Sequence, residues 1–206
     1  MKKYHGLLVG AALSVAALGF AGCGKNTSYD DTLVETHTRT AARVAEAVNA
    51  SVEAGGEVLV VHQHGDNPVR AAWIKTFNDD LDSRFSATFW GTADAPRGGG
   101  ETFATGAATL AEAVAAHPDC VAIISHVSVD AQDARRLPKD LPPVFALEWP
   151  FPDVAARLIS KGIVHAGVFA FYPEAYPGVT PDPDLFVGEQ YLFLDKDSIR
   201  SFSRQR

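Results

Sequence analysis

The sequence predicts an α/β protein: a three-layer, doubly wound domain with a mainly parallel sheet of five or six strands, Rossmann-like or flavodoxin-like. Several short segments are apolar throughout, which is typical of parallel strands buried on both faces. They alternate along the chain with amphipathic helical segments, and this order indicates right-handed crossovers that place helices on both faces. The chain has 206 residues, and a folded part of about 150 residues suits one domain.

The N-terminal segment has the pattern of a secretory signal. Lys2 and Lys3 precede an apolar run that ends near Phe20 and is too short to span a membrane. The following "FAGC" resembles a bacterial lipobox, with Phe20 in place of the usual leucine. The resemblance implies cleavage before Cys23 and lipidation of Cys23, and hence a membrane anchor in the cell envelope that faces the periplasm or the exterior. Because no aspartate follows Cys23, the outer membrane is favoured in a host that has one.

We therefore expect a signal peptide at 1–22, a polar tether at 23–31 and a single α/β domain at 32–206. Removal of the two N-terminal lysines leaves 16 basic and 25 acidic residues, a formal net charge of −9. This acidity argues against nucleic acid or an anionic lipid surface as a partner. If lipid takes the sulfur of Cys23, Cys120 is the remaining cysteine, and no intramolecular disulfide is expected.

The domain is expected to open with an amphipathic helix that begins near Asp31 and ends before Gly55 and Gly56. One face of this helix recurs at steps of three and four residues, at Leu33, His37, Ala41, Val44, Val48 and Val52. The predicted strands then span 57–63, 86–91, 120–126, 142–148 and 163–171, with a sixth at 190–195. The predicted later helices span 67–85, 106–119, 128–137 and 152–162. Long irregular segments are expected at 92–105 and 172–188.

Polar and aromatic residues follow the predicted strands. In sheets of this type, ligands bind beyond the carboxyl ends of the strands, at the point where the strand order reverses. The candidate ligand-binding residues at these ends are His62, His64, Asp66, Asn67, Trp90, Ser125, His126, Glu148, Trp149 and Tyr172.

The two histidines of "HQHGD" allow three interpretations. Residues two apart on a strand share a face at roughly 7 Å, so with His126 and Glu148 the pair His62 and His64 is a candidate zinc site. The HxHxD spacing resembles the metal motif of metallo-β-lactamase-type hydrolases. However, Asn67 stands where that motif has a further histidine, and that fold is largely antiparallel. A rim that binds an organic ligand and a purely structural polar turn are the alternatives.

No complete catalytic constellation is found in the sequence. The glycines at 98–100 lack the Lys-Ser/Thr of a phosphate-binding loop. Ser125 and His126 are adjacent on a predicted strand and so point to opposite faces, and no GxSxG turn surrounds Ser125. The sequence therefore predicts no cofactor, unless the histidine pair binds zinc.

Three stretches, "GGEVLVVHQHGDNPVRAAWIKTFNDDL", "TLAEAVAAHPDCVAIIS" and "PPVFALE", resemble one lobe of a type 1 periplasmic binding protein over about residues 57–170. The resemblance implies binding of a sugar, an amino acid or another small solute. It also implies that five of the strand-end residues face the ligand: His64, Asp66, Asn67, Ser125 and His126. The chain has no room for the second lobe of that family.

We therefore expect a lipid-anchored, non-enzymatic domain that binds a small solute such as a sugar, or a partner that is a second copy or another protein. A metal-dependent hydrolase that uses His62 and His64 is the alternative hypothesis.

Overall fold

The computed structural model describes residues 27–63, 68–92, 106–130 and 132–199. The helices are α1 (Thr27–Ser51), α2 (Pro68–Asp80), α3 (Gly106–Ala116) and α4 (Pro152–Ser160). The strands are β1 (Gly56–Gln63), β2 (Phe85–Thr92), β3 (Ala122–Ser125), β4 (Val144–Trp149), β5 (Ala166–Ala170) and β6 (Tyr191–Leu194). None of the described helices combines the length and the apolar character needed to cross a bilayer.

The strands form one sheet in the order β2-β1-β3-β4-β5-β6. The first five strands are parallel to their neighbours, and β6 pairs antiparallel with β5 at the edge. This confirms the predicted mainly parallel α/β sheet. Because the chain passes from β2 over β1 to reach β3, the strand order reverses between β1 and β3, which is where ligands bind in such sheets.

The apolar strands are buried on both faces, as their composition predicts. Val58 and Val60 of β1 pack in the core under α1 and α2. Leu59 and Val61 point to the other face and pack in the core under α3 and α4. All four side chains are at most 1% exposed. Because successive side chains of β1 point to opposite faces of the sheet, one continuous apolar run packs against a layer of helices on each face.

Helix α1 covers the sheet with the face that its periodicity predicts. Ala41, Val44 and Val48 are fully buried, and Val52 just beyond the helix is 6% exposed. The helix begins at Thr27, earlier than expected and inside the stretch predicted to be a tether. It ends five residues before β1 begins, so α1 runs antiparallel to β1 and its C-terminal end lies at the amino ends of the parallel strands.

All four predicted later helices are shorter in the structure, two of them by six residues. The segment predicted as a helix at 128–137 contains only a 3₁₀ turn, Asp133–Arg136. A carboxylate oxygen of Asp130 accepts the backbone N–H groups of Gln132 and Asp133, which starts the turn. The turn stops at Leu137 because that residue precedes Pro138, and a proline disfavours helical geometry in the residue before it.

The second helix ends at Asp80 rather than at residue 85. The Asn49 side chain of α1 donates to the carbonyl of Asp80 and accepts the backbone N–H of Asp82, at 2.9 Å each. These contacts satisfy backbone groups at the end of the helix. The chain then turns directly into β2.

Leu59→Ala tests the position of β1 in the centre of the sheet. Leu59 is fully buried between β2 and β3, so its truncation leaves a cavity, and we expect a loss of about 2–5 kcal/mol in the free energy of unfolding. Urea unfolding measures this loss. The exposed Lys161→Ala serves as the control and should change stability by less than about 0.5 kcal/mol. A similarly small change for Leu59→Ala would contradict a central β1.

Candidate functional site

A cavity of about 570 Å³ lies at the carboxyl ends of β1, β3 and β4, beneath α1 and α2. The cavity therefore lies next to the point between β1 and β3 where the strand order reverses, at the end of the sheet where ligands bind in folds of this type. The residues that line it are Leu33, His37, Val60, His62, Val69, Arg70, Trp73, Ile74, Phe89, His126, Leu147 and Glu148. The lining therefore combines an apolar and aromatic wall with a small group of ionisable side chains, which is typical of small-molecule sites.

The aromatic wall is fixed by ring packing. The Trp73 ring stacks on Phe77, with centroids 5.1 Å apart and planes 8° apart. Its edge contacts His126, with centroids 5.4 Å apart at 72°. The indole N–H of Trp73 is buried without a hydrogen-bond partner among the described residues. Since buried indole donors are usually paired, this N–H is an unused polar group in the wall of the cavity.

Glu148 reaches the cavity through an irregularity in β4. Along this strand Leu147 pairs with Val168, and Trp149 pairs with Phe169, so Glu148 is an extra residue that forms a β-bulge. Its φ is 58°, the only positive value among the described non-glycine residues. This left-handed conformation costs a non-glycine residue roughly 1–2 kcal/mol. Bulges and strained residues of this kind re-aim side chains at functional sites.

The bulge places the Glu148 carboxylate against helix α1. Its Oε1 lies 2.5 Å from Nδ1 of His37 and accepts a hydrogen bond from the Thr40 hydroxyl at 3.0 Å. Thr40 is fully buried, and the side chains of His37 and Glu148 are 18% and 15% exposed. With Oε1 as acceptor, His37 carries a proton on Nδ1. The pair therefore joins the first half of α1 to the end of β4.

His62 and Arg70 form the second polar group of the cavity. Nη2 of Arg70 lies 2.6 Å from each ring nitrogen of His62, which is 7% exposed. A guanidinium can only donate hydrogen bonds, so the imidazole of His62 acts as the acceptor and is neutral in this contact. The cationic group thus lies at the β1 side of the cavity, while the carboxylate lies at the β4 side.

His126 follows β3 between these two groups. The pKa of His126 is lowered to about 4, mainly by burial; the negative charge of Glu148 opposes this shift, and the nearby His62, His37 and Arg70 contribute to it. His126 is therefore neutral at pH 7, and its ring offers one hydrogen-bond donor and one acceptor. Its backbone N–H donates to the carbonyl of Val61 at 3.0 Å, which fixes the start of the loop.

Of the sequence-predicted site residues, the structure brings His62, His126 and Glu148 together at this cavity. His64, Asp66 and Asn67 lie outside the described residues, and so does most of the glycine-rich segment. Four predicted site residues are absent from the lining of this cavity: Trp90, Ser125, Trp149 and Tyr172.

Trp149 is a correction to the expected strand-end cleft. Regular alternation after Phe145 and Leu147 would place it on the face of α1 and α2. The bulge at Glu148 moves Trp149 to the opposite core, where it is 3% exposed and donates its indole N–H to the carbonyl of Ser125 at 2.7 Å. The same irregularity that brings Glu148 into the cavity therefore removes Trp149 from it.

The other three residues also have different surroundings. Ser125 is fully buried, and its hydroxyl exchanges hydrogen bonds with the backbone of Val127, so it does not pair with His126. Trp90 packs against the core under α3 and α4. Tyr172 is 47% exposed and follows β5. None of them contributes to the wall of the cavity.

Sequence reasoning missed His37, Arg70, Phe89 and Thr40. His37 was visible as a histidine within the otherwise apolar face of the first helix, a position where an imidazole needs a polar partner. Arg70 lies in the first turn of α2, and no local pattern marks it. The pairing of His37 and Thr40 with Glu148 joins residues more than 100 positions apart, which spacing along the sequence does not predict.

The ionisable groups of the cavity do not form a recognisable metal site. Within residues 27–63, 68–92, 106–130 and 132–199, no group of three His, Cys, Asp or Glu side chains is arranged to hold a metal ion. The Arg70 guanidinium stands at both ring nitrogens of His62, and its positive charge opposes a second cation there. Glu148 in turn has polar partners on α1. The arrangement is suited to hydrogen bonding with a polar organic molecule.

Several solved sugar-binding proteins of bacterial transporters have a similar fold. The arabinose-binding protein AraP from Geobacillus stearothermophilus matches with a TM-score of 0.53 and 11% identity, over 81% of this chain and 63% of that chain. A sugar-binding transporter protein from Bacillus halodurans matches with a TM-score of 0.54 and 10% identity, over 81% and 64%. A carbohydrate-transporter solute-binding protein from Agrobacterium radiobacter, in complex with D-arabinose, matches with a TM-score of 0.53 and 15% identity, over 82% and 63%.

These likenesses establish a periplasmic-binding-protein-like α/β fold. The chain spans less than two thirds of the length of each of these three structures. No protein-family model matches the sequence, and no curated protein matches it.

Glu148→Gly and Glu148→Ala separate the strain of the bulge from its polar contacts. Both variants remove the carboxylate, but glycine adopts a φ of 58° freely and alanine does not. We expect Glu148→Gly to be more stable than Glu148→Ala by about 1 kcal/mol in urea unfolding. Equal stabilities, or a more stable alanine variant, would contradict a left-handed residue at this position.

The buried His126 makes stability depend on pH. Its pKa is lowered in the folded state to about 4 from 6.5, so below pH 6.5 the unfolded chain binds more protons at this residue. The contribution of neutral His126 is complete above pH 6.5 and is lost as the pH falls towards 4. Urea unfolding at pH 7.5, 5.5 and 4.5 should show this decline, and His126→Asn should show less of it. An unchanged pH profile in His126→Asn would show that other groups cause the decline.

Proposed function

We propose that this protein is a non-enzymatic, lipid-anchored domain of the cell envelope that binds a small polyhydroxylated solute, such as a sugar, in the cavity at the carboxyl ends of β1, β3 and β4. The observation that carries the proposal is the Glu148 carboxylate, which a strained bulge turns into a cavity at the reversal point of the sheet. Strain at one residue is typical of a position with a function.

The chemistry of the lining suits hydroxyl groups. A carboxylate accepts hydrogen bonds from hydroxyls, and hydrogen bonds to charged groups contribute about 1.5–3 kcal/mol each. A neutral His126 both donates and accepts, as a hydroxyl does. Trp73 and Phe89 offer aromatic surface to the apolar C–H face of a sugar ring. A polyhydroxylated ring therefore finds partners for its polar and its apolar sides.

The similar solved structures support this ligand class. All three are described as sugar- or carbohydrate-binding, and the protein from Agrobacterium radiobacter was solved with D-arabinose. Because the identities are 10–15% and the match covers less than two thirds of those proteins, the fold is what they share with this chain. The proposal of a sugar rests on the side chains of the cavity together with this fold.

The first helix contributes one wall of the site. Leu33 and His37 of α1 line the cavity together with residues of the strands and of α2. A cavity with described walls from one sheet edge and two helices buries less of a ligand than a closed cleft between two lobes. We therefore expect modest affinity, suited to sensing or presentation of a solute; a homodimer or another protein that covers the cavity would raise it.

The anchor part of the proposal rests on the N-terminal sequence. Lys2, Lys3, the apolar run and the "FAGC" segment have the pattern of a lipoprotein signal. Lipidation of Cys23 places the domain at the surface of a membrane in the envelope. We do not propose the metal-dependent hydrolase, because Arg70 contacts His62 and Glu148 is held by His37 and Thr40.

Titration calorimetry with D-arabinose and a panel of other pentoses and hexoses tests the binding function. The protein used is the soluble Cys23→Ser form without its signal segment. Glu148→Gln should weaken the binding of the best sugar about tenfold to hundredfold, because it replaces a charged acceptor by a neutral one. Glu174→Gln, which changes an exposed glutamate at the same end of the sheet, should leave the affinity unchanged. Absence of binding by every sugar, or equal affinities in the two variants, would contradict the proposed site.

A further inference from the structure

We propose that the protein stands on its membrane with one defined end down, so that the end of the sheet that holds the cavity lies nearer to the lipid surface. This end, the carboxyl edge, comprises the carboxyl ends of β1 to β5 and the described residues that directly follow β3, β4 and β5. The opposite end is the amino edge. The inference rests on the lipid anchor of the proposed function, but it concerns the orientation of the domain and does not depend on the identity of the solute.

The direction of α1 determines which edge is near the anchor. The C-terminal end of α1, Ser51, leads into β1 at the amino edge. His37 and Thr40 meet Glu148 near the carboxyl end of β4. The helix continues ten residues beyond His37 towards its N terminus at Thr27, a length of about 15 Å at 1.5 Å per residue. The start of α1 therefore projects beyond the carboxyl edge.

The connection between this start and the lipid is short. Cys23 precedes Thr27 by four residues, and four residues span at most about 14 Å when fully extended. The whole of α1, with 25 residues, is about 37 Å long. A lipid on Cys23 therefore holds the carboxyl edge nearer to the bilayer than the amino edge, which lies farther away by the 14 residues from His37 to Ser51, about 21 Å.

The exposed aromatic residues lie at the same edge. Phe151 and Tyr172 are the exposed large hydrophobic residues of the described chain, at 48% and 47%. Phe151 follows β4, and Tyr172 follows β5. Amphipathic and aromatic side chains of this kind are favoured where apolar lipid meets water. Their position favours a tilt of the domain that lays the start of α1 along the surface and brings these side chains to the lipid, which the short connection permits.

The net charge of the protein favours a zwitterionic lipid. Without the predicted signal segment the chain carries a formal net charge of −9, and the exposed Glu174 follows β5 closely at the carboxyl edge. A chain of this charge is repelled by an anionic leaflet, whose potential decays within a Debye length of about 8–10 Å. The proposed partner is therefore a zwitterionic lipid surface. A cavity at this end of the domain exchanges its solute close to the membrane.

The experiment compares the two edges of the lipidated protein on phosphatidylcholine vesicles. Glu174→Cys at the carboxyl edge and Glu53→Cys at the amino edge are matched variants, since both replace exposed glutamates. Each introduced thiol is labelled with a fluorophore, while Cys120 is 6% exposed and therefore protected. The vesicles contain a phospholipid that carries a nitroxide quencher on its headgroup. We expect at least twofold stronger quenching at position 174 than at position 53.

Three further variants test the cause of the difference. Insertion of about 30 Gly/Ser residues between Asn26 and Thr27 gives a flexible connection of about 30 Å, and should bring the quenching at the two positions close together. Replacement of both Phe151 and Tyr172 by serine should reduce the quenching at position 174 without releasing the protein. Cys23→Ser should release it from the vesicles.

Equal quenching at positions 174 and 53 in the lipidated protein, or stronger quenching at 53, would overturn the orientation. A long-connection variant that keeps the full difference would overturn the role of the short connection. Retention of Cys23→Ser on the vesicles would overturn the anchor itself. Sugar binding is measured on the soluble form, so a failure of the orientation and a failure of the solute-binding site are distinguished by separate readouts.

Discussion

The contact between the Glu148 carboxylate and helix α1 is the interaction on which the site depends. Glu148 occupies a left-handed conformation that costs roughly 1–2 kcal/mol, and hydrogen bonds to a charged group contribute about 1.5–3 kcal/mol each. The contacts with His37 and Thr40 are therefore large enough to offset the strain. The same contacts fix the first half of α1 above the end of β4, so one carboxylate both forms the cavity and attaches its wall.

This arrangement explains how the edge of one sheet becomes a concave site. In an α/β sheet the carboxyl ends of the strands form only a shallow edge, and a ligand there needs a second surface. Helix α1 supplies that surface because its C-terminal half is held by buried residues such as Val44 and Val48, while its N-terminal half extends past the edge with Leu33 and His37 at the cavity. The wall of the site is thus also the segment that leads to the predicted lipid anchor.

Local patterns in the sequence predicted the sheet and part of the site. Apolar runs identified the buried strands, and their ends brought His62, His126 and Glu148 to one edge, because parallel strands end on the same side. The bulge was not predictable, since the φ of Glu148 is stabilised by Thr40 and His37, which lie more than 100 residues away. Regular alternation therefore placed Trp149 at the cavity, whereas the extra residue turns it into the opposite core.

For the proposed sugar site, the charges of the cavity favour a neutral polyol over a ligand that carries a single charge. Arg70 and Glu148 carry opposite charges at its two sides, and each already contacts a histidine, His62 or His37. His126 between them is neutral because its pKa is lowered to about 4. An anion would be attracted by Arg70 and repelled by Glu148, and a cation would be attracted by Glu148 and repelled by Arg70. A ligand with one charge sign is therefore not stabilised at both sides of the cavity. Hydroxyl groups are not repelled by either charge. They can donate hydrogen bonds to the carboxylate, accept them from the guanidinium, and donate to or accept from a neutral imidazole.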